Sequence, residues 1–206
     1  MDNHEENILK QFGGSNVNDL NNILQINGED ENDDSKLFSQ KSPYIDINEL
    51  SSYLENCKGQ FSVLSLNVQS IRAKFDPLLA VLTDLTSHNL YFSAICLQET
   101  WQNENDNLSM FDLPDYQMVS QGKICIGHGG LITYIHKEFT WTKIPLYESS
   151  NIWEGLFLDV RSNDMHKKIT LGNIYKPPRN NNNNTNIETF TNQLSPTISQ
   201  LEKENC

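Results

Sequence analysis

From Phe61 onward, apolar runs of strand length alternate with polar connectors, over residues 61–67, 91–98, 116–120, 131–136, 152–160 and 168–175. Their Val, Ile, Phe and Tyr content predicts strands, and the alternation is clearest in Leu131-Ile-Thr-Tyr-Ile135 and Leu156-Phe-Leu-Asp-Val160. Between the first two runs, Phe75, Leu78, Leu79, Leu82 and Leu85 fall at helical spacing. Asp76 reads as the N-cap of that helix and Pro77 as its first residue, where a missing N–H does no harm. Strand, helix, strand predicts a crossover that sets the two strands side by side with the helix over one face. The later runs follow one another through short polar turns, which predicts antiparallel pairing. Helical spacing returns at Phe190, Leu194, Ile198 and Leu201, and Pro196 within it predicts a kink or two short helices. A short helix or turn over residues 45–54 leads into this region.

The first 58 residues have a different texture. They carry 12 Asp/Glu against 4 Lys/Arg, whereas residues 59–206 carry 15 against 11. The head is polar, Asn-rich and poor in aromatics, so it reads as a largely disordered acidic extension over 1–58, followed by a folded part over 59–206. The net charge of −12 argues against nucleic-acid binding by charge alone, but not against a nuclease that carries a compensating cation. The Arg161, Lys167, Lys168 group reads as a solvated hairpin. Four cysteines have no paired spacing, and Cys96 reads as a small core residue. With no apolar leader and no membrane-length run, the expectation is an intracellular protein, nuclear or cytoplasmic, with no membrane partner.

Two strands end on groups suited to metal or phosphate. Phe61-Ser-Val-Leu-Ser-Leu-Asn67 ends on an amide, and Phe92-Ser-Ala-Ile-Cys-Leu-Gln-Glu99 ends on a carboxylate. Glu99 either binds Mg²⁺, a hard cation that takes oxygen ligands and keeps waters, or marks where a strand leaves the core. Asn67 either orients a phosphate or carboxylate or is a turn residue. Leu171-Gly-Asn-Ile-Tyr175 is stopped by Pro177-Pro178, which fixes Tyr175 either as a phosphate donor or as a core tyrosine. Gly127-His-Gly129-Gly130 reads as a hairpin turn, with His128 solvated beside it. Glu154, in Ile152-Trp-Glu-Gly-Leu, is a charge in an apolar strand that faces either a site or solvent. No nucleophile with a paired base and no zinc spacing is visible, so chemistry here would be metal-assisted.

Leu64-Ser-Leu-Asn67, the Phe75-Asp-Pro helix, Ile95-Cys-Leu-Gln-Glu99-Thr-Trp101, Gly129-Gly-Leu-Ile-Thr-Tyr-Ile and Leu171-Gly-Asn-Ile-Tyr175-Lys-Pro-Pro occur in one order. In that order they resemble the endonuclease/exonuclease/phosphatase superfamily, and most of all the endonuclease domains of non-LTR (LINE-like) retrotransposons of the jockey and chicken-repeat type. The resemblance implies a four-layer α/β sandwich, incomplete here, that nicks DNA with Mg²⁺ or Mn²⁺ as cofactor. It implies Glu99 as metal ligand, Asn67 as the amide beside it and Tyr175 at the scissile phosphate. The family's later Gly-Asp-Phe-Asn and Ser-Asp-His segments are not found after Tyr175, which implies a truncated domain, weak or inactive alone. The missing partner would be the C-terminal half of the domain or a reverse transcriptase region. An uncovered apolar sheet face follows as an expectation. The alternatives are a non-catalytic retrotransposon remnant acting as an interaction protein, and a phosphatase- or exonuclease-type member of the superfamily.

Overall fold

In the computed structural model, residues 49–123, 128–145, 152–162, 168–177 and 187–204 are described. The chain divides between Lys58 and Gly59. Of the first unit, the described part is a short helix, α1 (Leu50–Asn56), with the residues that flank it. The second unit contains β1 (Val63–Asn67), α2 (Ile71–Ser87), β2 (Ala94–Gln98), a 3₁₀ turn (Ser109–Phe111), β3 (Tyr116–Gln121), β4 (Leu131–His136), β5 (Phe139–Lys143), β6 (Glu154–Ser162), β7 (Ile169–Tyr175) and α3 (Ile187–Glu204).

These form an α/β fold with two sheets. Sheet A has the order β1-β2-β4-β3 and sheet B the order β5-β6-β7. The α2 crossover makes β1 and β2 parallel, with Asn67 beside Gln98, while β4 runs antiparallel to both β2 and β3. Sheet B is antiparallel throughout and sets Glu154 opposite Tyr175. Lys137 and Glu138 alone link β4 to β5, so two residues pass the chain from one sheet to the other.

The strands' period of two sorts their side chains into layers. Ala94, Val119, Leu131 and Ile135 of sheet A meet Phe139, Leu156, Leu158, Val160 and Tyr175 of sheet B in one core. The alternate residues of β4, Ile132 and Tyr134, are equally buried on the outer face of sheet A. There the Tyr134 hydroxyl donates to Phe111 O, and the Phe111 ring meets Phe75 of α2 edge to face at 5.3 Å. On the outer face of sheet B, Trp153, Phe157 and Leu201 cluster with Phe190 and Leu194 of α3. The order is therefore helix, sheet, sheet, helix.

Several expectations change. The uncovered sheet face shrinks to an overhang. Sheet A has one strand more than sheet B, and on its edge strand β1 Val63, Ser65 and Asn67 are exposed where sheet B does not reach. Asp76 and Pro77 lie inside α2, which begins at Ile71. Its first N–H groups are not capped by a side chain. Instead Ser70 N–H donates to Glu99 O and Ile71 N–H to Thr100 O, so a tertiary anchor replaces the local cap. Pro196 does not divide α3, which is one helix held by its apolar face. β5 was not expected at all. The hairpin expected at Arg161, Lys167 and Lys168 falls largely on residues 163–167, which lie outside the described residues, as do residues 1–48 of the acidic head and the asparagine run.

Candidate functional site

β1 and β2 end side by side, and there the chain turns sharply twice. After β1, Gln69 and Ser70 have φ of 46° and 104°; after β2, Glu99 and Trp101 have φ of 51° and 60°. A positive φ is unfavourable for all four residue types and persists only where the surroundings over-determine it. The two loops restrain each other. Val68 N–H donates to Gln98 O, and the Ser70 and Ile71 bonds described above tie the next two residues to the loop after β2. That loop is also tied to the start of β4, with Thr100 N–H donating to Gly130 O and Trp101 N–H to Gly129 O.

The strained turns bring the two expected polar ends together. Asn67 Nδ2 donates to Glu99 Oε1 at 2.8 Å, and Asn67 Oδ1 accepts from Gln69 N–H at 3.3 Å. Asn67 is exposed and Glu99 half-buried, because the β1 overhang leaves this corner open to solvent. Beneath the pair lies a buried amide network that spacing alone did not reveal. Gln98 Nε2 donates to Ser65 Oγ and, at 2.7 Å, to Asn173 Oδ1. Asn173, on β7, in turn donates to Leu97 O, Ile132 O and Thr133 Oγ1 of sheet A. Gln102 is also buried, and its Nε2 reaches both Gln121 O and Leu131 O.

Tyr175 is placed differently from the other two. It belongs to the inter-sheet core, is 6% exposed, and its hydroxyl is buried. It therefore sits in the layer under the open corner rather than on its surface. Directly across the ladder is Glu154, which is fully buried and does not face solvent. Glu154 Oε2 accepts from Gly130 N–H at 2.7 Å. Gly129 and Gly130 (φ 92° and 86°) lie in the connection between the antiparallel strands β3 and β4, as the hairpin reading expects, and they are tightly packed there. A Cβ at Gly129 would collide with the Glu154 carboxylate, and one at Gly130 would lie 2.8 Å from both Thr100 Oγ1 and Gln102 Oε1. His128 is exposed, and Gly127 lies outside the described residues. Cys96 is a core residue whose thiol burial pushes up to about 12.

Among the described residues, no three His, Cys, Asp or Glu side chains cluster as metal ligands. A cation at this corner would rest on Glu99 with water completing its shell. Mg²⁺ accepts that arrangement, because it holds waters tightly and is commonly bound by one or two carboxylates plus substrate phosphate; Zn²⁺ does not. Among the described residues no helix is long and apolar enough to cross a membrane. No family model matches the chain, and no curated protein matches it either.

Proposed function

We propose that residues 59–206 form a phosphodiester-hydrolysing endonuclease domain of the retrotransposon type, acting on DNA with Mg²⁺ or Mn²⁺. The observation that carries this reading is the Asn67–Glu99 pair, held by turns with four strained residues at the solvent-exposed end of β1. Backbone strain concentrated beside a solvent-accessible carboxylate is characteristic of a working site rather than of a turn. The order of sequence motifs supplies the reaction class.

In this reading Glu99 offers the carboxylate oxygen that Asn67 leaves free, and Asn67 fixes that carboxylate's rotamer. A bound Mg²⁺ would supply charge stabilisation at the phosphoryl and leaving oxygens. Tyr175 supports the corner from the core and reaches a phosphate only after its buried hydroxyl swings outward. General-base help is worth about 10²–10⁴-fold in rate, and neither Asn67 nor Tyr175 is suited to give it, so turnover by these residues alone is slow. The second reading is a non-catalytic remnant or interaction protein.

Mn²⁺ binding, followed by paramagnetic relaxation, and nicking of supercoiled plasmid separate the two. The endonuclease reading expects Mn²⁺ bound by the wild type and lost in Glu99→Ala, with nicking close to background in both. Equal Mn²⁺ binding by wild type and Glu99→Ala removes the reading. Robust Mg²⁺-dependent nicking that Glu99→Ala abolishes keeps it and overturns the slow turnover.

A further inference from the structure

We infer that Glu154 is a positioning residue for this corner: its buried carboxylate holds the Gly129–Gly130 turn, and that turn holds the backbone of Glu99 to Trp101. The inference deepens the proposed function and rests on it only for its effect on metal affinity.

A fully buried carboxylate in a strand of apolar neighbours is unfavourable unless its oxygens are satisfied. Glu154 lies on sheet B, yet the bond it accepts comes from Gly130, which leads into β4 of sheet A. Leu156, Leu158 and Val160, its same-face neighbours along β6, all lie in the inter-sheet core. A leucine at 154 would continue that core; the carboxylate instead reaches out of it to a main-chain N–H.

The next links are also main-chain bonds. The peptide that Glu154 grips at Gly130 N–H carries Gly129 O as its carbonyl, and that oxygen accepts from Trp101 N–H at 3.0 Å. Gly130 O accepts from Thr100 N–H at 3.1 Å. Both acceptors therefore lie within one residue of the atom Glu154 holds. Their donors are the two residues that follow the strained Glu99, whose carboxylate position depends on its φ of 51°. Gly129 is the complement: any Cβ there would occupy the carboxylate's space. The chain of control runs from Glu154 to the turn and from the turn to Glu99, without Glu154 touching a substrate.

The test compares wild type, Glu154→Gln, Glu154→Leu and Glu99→Gln by ¹⁵N–¹H spectra and Mn²⁺ titration, with Tm recorded for each. Glu154→Gln keeps the shape and an acceptor oxygen but not the charge, so it folds even if Glu154→Leu does not. The expected result is displaced amide resonances for Thr100 and Trp101 as well as Gly130, with Asn89 and Lys137 at the opposite end of sheet A unmoved. Mn²⁺ affinity should fall about 10-fold in Glu154→Leu, the low end for loss of a group that orients a metal ligand, and less in Glu154→Gln. The inference is overturned if Glu154→Leu, or Glu154→Gln where the leucine variant does not fold, shifts only Gly130 and leaves both Thr100 and Trp101 and the Mn²⁺ affinity unchanged. If wild type and Glu99→Gln bind Mn²⁺ alike, the proposed function fails, and the Thr100 and Trp101 resonances alone decide the role of Glu154.

Discussion

Sheet A has a turn-rich cluster at each end, and the two are built on opposite terms. At the end where β2 and β4 meet through Ala94 and Ile135, the positive-φ residues are Asn89 and Asp115, at 54° and 67°. Asn and Asp tolerate that conformation better than other side chains, so these are relaxed turns. Around them the side chains pair conventionally. The His136 ring stacks on Tyr91 at 4.0 Å and meets Tyr116 edge-on, the Tyr91 hydroxyl donates to Glu138, and Lys137 bonds Asp115. At the other end the positive-φ residues are Gln69, Ser70, Glu99 and Trp101, all of them poorly suited to it. One end is stabilised by its residue types, while the other is held against them by neighbouring backbone. Both ends present hydrogen-bonded carboxylates, but only at the second is the carboxylate, that of Glu99, carried by a residue whose type does not suit its φ.

The largest expected effect tests the restraint. Gly129→Ala, which combines a collision with Glu154 and a φ of 92°, should destabilise the domain by about 3 kcal/mol, read as a lower urea midpoint. An unchanged midpoint would mean the turn moves freely and restrains nothing. Next comes a pH effect at the relaxed end. Burial lowers the His136 pKa below its ordinary 6.5, opposed by Glu138 and Asp115 and aided by Lys137. The unfolded chain therefore binds the proton first, so stability present above 6.5 should decline as pH falls below it, by at most about 1.4 kcal/mol per unit. His136→Phe keeps the stack with Tyr91 and should flatten that slope in urea titrations at pH 7 and 5. A slope that persists in His136→Phe assigns the effect elsewhere.

Smaller, and of opposite sign, is the release of strain. Ser70 has φ 104° and ψ 109° and makes no side-chain cap bond, so Ser70→Gly should raise stability by about 1 kcal/mol. Asn89→Gly, at the relaxed end, should lie within about 0.5 kcal/mol of wild type. Equal effects of the two glycines in chemical denaturation would erase the contrast between the ends.

How much of this the sequence disclosed follows from the kind of interaction involved. Local periodicity placed β1, β2, β3, β4, β6, β7 and the apolar face of α2, because a strand or helix writes its buried face into its own residues. The crossover between residues 67 and 94 was enough to set Asn67 near Glu99. The start of α2 was misread because Asp76-Pro77 imitates a cap, whereas the true anchor is carbonyls some 30 positions away, at Glu99 and Thr100. β5 was missed because Phe139-Thr-Trp-Thr-Lys143 has no glycine or asparagine turn before it; Lys137 and Glu138 cross between sheets instead of closing a hairpin. Glu154 stood out as an oddity, but its partner is a main-chain N–H in another sheet, which no pattern of side chains can announce. Asn173 was read only as part of a motif around Tyr175, and its three donor bonds became visible with the sheets stacked.

Asn173 has a further consequence. β7 lies at the edge of sheet B, where a strand has one neighbour and can slide along it. A shift of one residue would place Gly172 or Ile174 where the amide now sits, taking the amide donor from Leu97 O and Ile132 O and leaving Gln98 Nε2 with Ser65 Oγ and Cys96 O alone of these partners. The side chain thus reads β7's alignment against a sheet it does not belong to. The register that satisfies Asn173 is the same one that sets Tyr175 opposite Glu154.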